Sequence, residues 1–269
     1  MPDFSIFSYF GYSLPLNERF RLIRNAGFSS TFLWWGMNLG DDIDKHHIPD
    51  MARKNGLTVE NIHTPFDTVN SLWEDGRDGE DYLSLLLSCI DDCKTHAIGT
   101  AVVHLSRTAS PPPISPIGLE RVKRLIDHAE TQNINIAMEN LNRPEYLDYI
   151  FEQIDSEKLG FCFDSGHENC FTPDRNYLAQ YGHKLMALHL HDNNGERDLH
   201  LLPFDGTTDW NRVAHNLTRS GYNGALSLEV EAGRIPLYDG LHAEEFLKKA
   251  YQRCAAISGL HAKTPQKNN

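Results

Sequence analysis

Leu159-Gly-Phe-Cys-Phe-Asp-Ser-Gly-His167 is a short apolar run that ends in a carboxylate and an imidazole. Residues 159–163 have the length and the aromatic content of a buried β-strand. Asp164 stands at the end of this strand, and a tight turn brings His167 back three residues later. Both side chains can therefore face the same end of the strand.

The alternation of a short strand with a longer helical segment recurs along the chain. Strand-like runs are predicted at residues 4–8, 30–34, 57–62, 101–105, 134–138, 159–163, 185–190 and 225–230. Helical patterns occupy segments such as 16–26, 42–55, 80–96 and 243–257. Eight strand–helix pairs in 269 residues predict an α/β protein with a single (β/α)8 barrel, the TIM barrel.

The main alternative fold is an open, doubly wound sheet. That fold usually carries a glycine-rich phosphate-binding turn early in the chain, and this sequence has none there. In a barrel, the reaction site lies at the carboxyl ends of the strands. We expect the barrel to cover residues 1–260, and the polar, aperiodic residues 261–269 to form a disordered tail.

The composition argues against several classes of protein. Lys and Arg number 25 against 37 Asp and Glu, a formal net charge of −12, whereas binding to nucleic acid needs clustered positive charge. No segment reaches the roughly 18 apolar residues of a membrane span, and the first residues do not resemble a secretion signal. The five cysteines lack the spacing of a disulfide framework. We therefore expect a cytoplasmic protein with no membrane and no nucleic-acid partner.

Several other predicted strands also end in histidine or in a carboxylate. His63 and His104 end the third and fourth strands, and Glu139 and Glu229 end the fifth and eighth. Buried imidazoles and carboxylates in such number are costly unless they are paired or coordinate a metal ion. Together they are typical ligands of zinc, manganese or iron(II). The strand ends therefore predict a metal site.

The seventh strand carries two histidines in Leu188-His-Leu-His-Asp192. Side chains alternate along a strand, so His189 and His191 share one face. Only one of them need be a metal ligand, and the other could pack as a polar neighbour.

These strings resemble the xylose isomerase-like TIM barrels, a superfamily that joins sugar isomerases and epimerases with the endonuclease IV family of zinc phosphodiesterases. The resemblance covers nearly the whole chain and is most specific in Phe163-Asp-Ser-Gly-His167 and His189-Leu-His-Asp192. It implies a central metal ion held by the four ligands that both branches share: Glu139, Asp164, His189 and Glu229.

The resemblance to the endonuclease IV branch extends to further ligands. In that branch two histidines hold a second ion that the first glutamate bridges, and a His, Asp, His group holds a third. The corresponding residues here are His63 and His104 for the second ion, and His167, Asp198 and His200 for the third. The resemblance thus implies one to three divalent ions, zinc or manganese.

The chain departs from the endonuclease branch in the loop after His189. This loop, Asp192-Asn-Asn-Gly-Glu-Arg-Asp198, is short and lacks the Ser-Lys pair of that branch. Many sugar isomerase and epimerase-like sequences instead resemble this chain in Asp198-Leu-His200 and in the later pair Asp209-Trp210. Ketohexose epimerases place an arginine shortly after the histidine ligand, but at a spacing other than that of Arg197.

Some side chains are candidates for substrate binding rather than for metal binding. Trp34, Phe66 and Trp73 follow early strands and could stack on a sugar face, although aromatic packing is the alternative. His167 would orient the substrate or donate a hydrogen bond to its oxygen, and Arg197 is a further candidate.

We therefore predict a divalent-metal-dependent isomerase or epimerase that acts on a small sugar or sugar derivative through an enediolate. Glu139 and Glu229 would be the acid–base pair. One alternative is a zinc-dependent phosphodiesterase of the endonuclease IV type, which the nine ligands favour and the acidic charge opposes. A second alternative is a metal-dependent sugar-binding barrel without turnover. The sequence specifies neither the substrate nor the oligomeric state.

Overall fold

A computed structural model describes residues 3–36 and 43–263. Within them eight parallel strands form one sheet. From β1 to β7 each strand pairs with the next one along the chain, and β1 also pairs with β8. The strands are β1 (Phe4–Phe7), β2 (Ser30–Trp34), β3 (Thr58–His63), β4 (Thr100–Val103), β5 (Asn135–Glu139), β6 (Leu159–Asp164), β7 (Leu185–His189) and β8 (Leu226–Leu228).

The sheet closes into a barrel through the residue that follows β7. Leu190 forms a parallel bridge with Leu228. Its N–H donates to the Ser227 carbonyl at 2.9 Å, and its own carbonyl accepts from the Glu229 N–H at 3.1 Å. The predicted (β/α)8 barrel is therefore confirmed, and the open doubly wound sheet is wrong.

Helices separate the strands along the chain, and two of them lie between β6 and β7. They are α1 (Leu16–Ala26), α2 (Ile48–Lys54), α3 (Arg77–Thr95), α4 (Pro116–Gln132), α5 (Pro144–Gln153), α6 (Ser165–Phe171), α7 (Tyr177–Tyr181), α8 (Trp210–Ser220) and α9 (Ala243–Lys263). In the described ranges, none of them is long and apolar enough to cross a membrane.

Two predicted helices, 42–55 and 243–257, differ most from the observed elements. The helix expected at 42–55 is a 3-10 turn, Lys45–His47, followed by the short helix α2. Residue 42 itself lies outside the described residues. The backbone of residues 261–263 continues α9, although these residues were assigned to the tail. The remainder of the predicted tail, 264–269, lies outside the described residues.

Small side chains fill part of the barrel interior. They form a buried cluster that is separate from the large core between strands and helices: Val102, Ala137, Cys162 and Ala187. Because side chains alternate along a strand, the residue two positions further on faces the same side. On these four neighbouring strands, that residue is in each case a predicted metal ligand: His104, Glu139, Asp164 and His189.

A buried guanidinium stabilises the loop that connects β3 to α3. Arg121, on α4, is only 1% exposed. Its Nε donates to the Glu80 carboxylate at 2.9 Å. Its two terminal nitrogens donate to four backbone carbonyls at 2.6–3.2 Å, those of Ser71, Leu72, Glu74 and Gly76. The course of this loop, which begins just after His63, therefore depends on one side chain.

We expect the substitution Arg121→Met to lower the free energy of unfolding by about 3 kcal/mol, because it leaves buried carbonyls without donors. Equilibrium unfolding in urea measures this change. Arg124→Met is the matched control, since Arg124 bonds the same Glu80 carboxylate at 3.0 Å from an exposed position. A loss of stability in the control as large as in Arg121→Met would contradict this role of Arg121.

Candidate metal centre

The carboxylate of Glu139 lies among four imidazoles. Glu139 ends β5 and is 2% exposed. Nε2 of His63 and Nε2 of His104 lie 3.3 and 3.2 Å from its Oε2 atom. Nδ1 of His189 lies 3.3 Å from the same oxygen, and Nδ1 of His167 lies 3.1 Å from Oε1. The carboxyl ends of four strands and the start of α6 thus meet at one carboxylate.

A second part of the site lies between β6, β8 and the loop after β7. Nδ1 of His189 is 3.6 Å from Oε2 of Glu229. In the loop, Nε2 of His200 is 3.1 Å from Oδ2 of Asp198. The same oxygen lies 3.7 Å from Nε2 of His167. The structure therefore brings these loop residues to the rim that carries the strand-end residues.

Asp164 contacts His191 as well as His167. Its Oδ1 accepts a hydrogen bond from the His167 backbone N–H at 2.6 Å, which caps α6. Its two oxygens lie 3.0 and 3.1 Å from Nε2 of His191. The same nitrogen is 3.7 Å from Asp198, and the ring stacks on that of His200 at 4.1 Å. His191 therefore belongs to the cluster. It lies on the same side as His189, as the alternation of side chains along the strand indicated.

The tautomers of three histidines suit metal ligation. Nδ1 of each ring lies 2.8–3.0 Å from a backbone carbonyl, which can only accept a hydrogen bond. Nδ1 therefore carries a proton in each ring, and Nε2, which faces the carboxylates, is the nitrogen that can bind a metal ion once it has lost any proton of its own. Histidine ligands of metal ions usually have this arrangement. The rings are those of His63, His167 and His200.

Two further observations favour a metal ion at this site. Both ring nitrogens of His189 are buried without a hydrogen-bond partner in the described part of the chain. Two ligand atoms bound to a tetrahedral zinc ion lie about 3.3 Å apart. The distances of 3.2–3.3 Å from Glu139 to His63, His104 and His189 match this value. The residues therefore fit a divalent ion.

The charges of the cluster shift the pKa values of its members. Burial opposes the ionisation of Glu139, but the nearby His104 and His189 hold its pKa well below its usual range. Burial also disfavours charged imidazoles, and it lowers the pKa of His104. Nearby carboxylates, Asp164 first, nevertheless raise the pKa of His167 well above the usual value. Cys162, followed by Glu229 and Glu139, does the same for His189, and Asp164 helps to raise the pKa of His191 to about 9. Without a metal ion, protons therefore balance the carboxylate charge.

A cavity of about 400 Å³ opens at this end of the barrel. Histidines and carboxylates of the cluster line it, including His167, which the sequence suggested as a substrate contact. Aromatic side chains also line it: Phe7, Tyr9, and the two candidate substrate-binding residues Trp34 and Phe66. A ligand here would meet aromatic rings as well as polar groups.

Trp73 and Arg197 are not among the residues that line this cavity in the described part of the chain. Trp73 is 2% exposed, and its indole N–H donates to the Leu105 carbonyl at 2.6 Å. It occupies the space that Gly118 leaves, where a Cβ atom would lie 2.2 Å from the indole ring. Arg197 is exposed in the loop after β7.

Two charged residues that line the cavity were absent from the sequence prediction. Glu231 is two positions after Glu229, and this alternation was the signal that could have found it. Arg234 lies in a 3-10 turn, Ala232–Arg234, and no pattern in the sequence points to it. Its Nε donates to the Glu231 carboxylate, and its Nη1 is 3.9 Å from Asp198.

Comparison with known families agrees with the fold. The family described as xylose isomerase-like TIM barrel matches residues 20–253 of the chain. The protein therefore belongs to the xylose isomerase-like TIM barrel family.

Individual relatives are more distant. The uncharacterized protein y4fM of Sinorhizobium fredii is 34% identical over 138 residues, which are 49% of this chain and 42% of that protein. The match thus spans less than half of this relative. Inosose isomerase of Bacillus velezensis is 26% identical over 238 residues, 82% of this chain and 79% of that enzyme. Among solved structures, the IOLI protein with a bound zinc atom has a TM-score of 0.73 at 16% identity, covering 98% and 99% of the two chains, a likeness in fold.

We expect zinc binding to strengthen as the pH rises. The raised pKa values of His167, His189 and His191 mean that the metal-free site holds protons near neutral pH, and a metal ion must displace them. Each released proton strengthens binding about tenfold per pH unit below the pKa of its group. Calorimetric titration of metal-free protein between about pH 6 and about pH 7, in buffers of different ionisation enthalpy, measures the affinity and the proton release. An affinity independent of pH would contradict this account.

Proposed function

We propose that this chain is a divalent-metal-dependent isomerase or epimerase that acts on a small sugar or sugar derivative through an enediolate. The observation that carries the proposal is the pair of glutamates at the cavity. The carboxylates of Glu139 and Glu229 lie 3.3 and 3.6 Å from the same atom, Nδ1 of His189. Both also line the cavity. A substrate above His189 would therefore have a carboxylate from two different strands within reach.

The residues that would hold the central ion are Glu139, Asp164, His189 and Glu229. Zinc and manganese both suit this combination of imidazole and carboxylate, and the likeness to a zinc-containing IOLI protein supports zinc. When bound, such an ion supplies polarisation of a substrate carbonyl and of the adjacent hydroxyl.

Glu139 and Glu229 would carry out the proton transfers. In this chemistry a base removes the proton from the carbon next to a carbonyl, and an acid returns it to a neighbouring position or to the opposite face. Glu139 is held ionised by its imidazole neighbours, so it can accept a proton. Glu229 is 8% exposed and can act as the partner. His167, whose Nδ1 lies 3.1 Å from Glu139, would orient a substrate hydroxyl.

The aromatic side chains that line the cavity favour a small polyhydroxylated substrate. Trp34 and Phe66 meet edge to face at 5.3 Å, and Phe66 stacks on His104 at 4.3 Å. Such rings pack against the C–H face of a sugar, while the sugar hydroxyls can reach the histidines and carboxylates that line the cavity. The similarity to inosose isomerase supports a cyclic polyol ketone as one substrate to test.

We expect Glu139→Gln and Glu229→Gln each to lower kcat by at least about a hundredfold, because each removes a proton carrier. The assay follows deuterium incorporation from D2O into inososes and ketohexoses by NMR, with circular dichroism as the check on folding. Glu196→Gln is the control, since Glu196 is an exposed carboxylate in the loop after β7. Near-native exchange by either active-site variant would refute the two-glutamate mechanism.

A zinc-dependent phosphodiesterase is the second candidate. The observation that favours it is that the nine predicted ligands gather at one end of the barrel, where several groups of three could each hold an ion. The net charge of −12 opposes it, because contacts with phosphate dominate binding to DNA.

We therefore expect zinc-loaded protein to bind duplex DNA with an abasic site no better than intact duplex, and to leave both uncut. Fluorescence anisotropy across a range of salt concentrations and a gel-based cleavage assay measure these two properties. Tight, salt-sensitive binding with strand cleavage would reverse the order of the two candidates.

A further inference from the structure

A second group of potential metal ligands lies in the helical layer, outside the cavity. Nδ1 of His46 and Nε2 of His96 face each other at 3.1 Å. His46 belongs to the 3-10 turn Lys45–His47, and His96 follows the last residue of α3. Oδ1 of Asp92, also on α3, lies 3.8 Å from the same nitrogen of His46. Two imidazoles and a carboxylate thus converge from two elements.

We propose that His46, Asp92 and His96 form a surface site for a divalent transition-metal ion such as Zn²⁺ or Cu²⁺, separate from the metal centre. Ligand atoms around a tetrahedral zinc ion are about 3.3 Å apart. The observed separations of 3.1 and 3.8 Å lie on either side of this value. Imidazole with carboxylate is a ligand set that both ions accept.

The orientation of Asp92 supports the site. Its Oδ2 accepts a hydrogen bond from Nε1 of Trp35 at 2.8 Å and one from Nζ of Lys45 at 3.0 Å. These bonds fix the carboxylate, and its other oxygen is the one that faces His46. Ligand carboxylates of metal sites are commonly held in this way by hydrogen bonds from neighbouring groups.

The two imidazoles are accessible and available for binding. The His46 side chain is 43% exposed, so an ion can approach from solvent and keep a water ligand. In the metal-free protein, one ring donates a hydrogen bond to the other, and an ion would replace that shared proton.

Nearby cations limit the affinity of this site. Lys45 is paired with Asp92, and Arg53 donates to the backbone carbonyl of His96. Both positive charges oppose a divalent ion. We therefore expect weaker binding here than at the metal centre, which offers more carboxylates and imidazoles.

Metal stoichiometry tests the proposal. The full chain is equilibrated with Zn²⁺ at increasing free concentrations, and bound zinc is measured by mass spectrometry of the metal. We expect the double variant His46→Gln/His96→Gln to bind one ion fewer per chain than the unchanged protein. His128→Gln is the matched control, since His128 contacts Asp91 on α3 at 2.7 Å. Equal zinc content in the unchanged protein and the double variant would overturn the proposal.

Tryptophan fluorescence locates the ion independently of any activity. The Trp35 ring lies 6.0 and 5.7 Å from the rings of His46 and His96, so Cu²⁺ bound between them should quench its emission. Trp34, which lies 5.4 Å from His63, is replaced by Phe to reduce quenching from the metal centre. Trp73 and Trp210 remain, so the readout is the difference in quenching between this protein and the same protein with His46→Gln. We expect the His46→Gln protein to be quenched less, and equal quenching of the two proteins would also overturn the site.

Discussion

The buried negative charge of Glu139 is the constraint around which the site is organised. Removing a carboxylate from water costs several kcal/mol unless opposite charge or hydrogen bonds replace the solvent. Here His63, His104 and His189 approach one of its oxygens and His167 approaches the other. Four imidazoles must therefore end near one point, and the barrel achieves this because the carboxyl ends of its strands face one cavity.

The sequence was sufficient to predict the barrel and the residues at its strand ends. Both follow from patterns that repeat every few residues along a strand or a helix. Alternation along each strand places Ala137 inside the barrel and Glu139 at its rim, and likewise Ala187 and His189. A turn of three residues then places His167 beside Asp164. The sequence predicted the ligand set only through resemblance to a family, because spacing along the chain does not show which side chains meet.

The positions of several loop side chains could not be predicted from the sequence, because they depend on distant contacts. Trp73 follows an early strand as Phe66 does, but the indole of Trp73 packs against Gly118 instead of lining the cavity. Arg197 lies between ligands in the sequence, but Arg234 from the loop after β8 is the arginine that reaches the cavity. His200 has a positive φ of 48°, which turns its side chain towards Asp198, and no residue pattern predicts that conformation.

The four ligands that the resemblance assigns to both branches do not separate sugar chemistry from phosphodiester chemistry. The other residues that line the cavity bear on that distinction. Lys and Arg side chains are the groups of a protein that neutralise the phosphates of DNA. Among the described residues that line the cavity, Arg234 is the one Lys or Arg, and the Glu231 carboxylate already binds it. The side chains of Phe7, Tyr9, Trp34 and Phe66 add aromatic surface to the lining instead. Aromatic rings suit the C–H face of the proposed sugar substrate, whereas the charged backbone of DNA finds no unpaired Lys or Arg among the described residues that line the cavity.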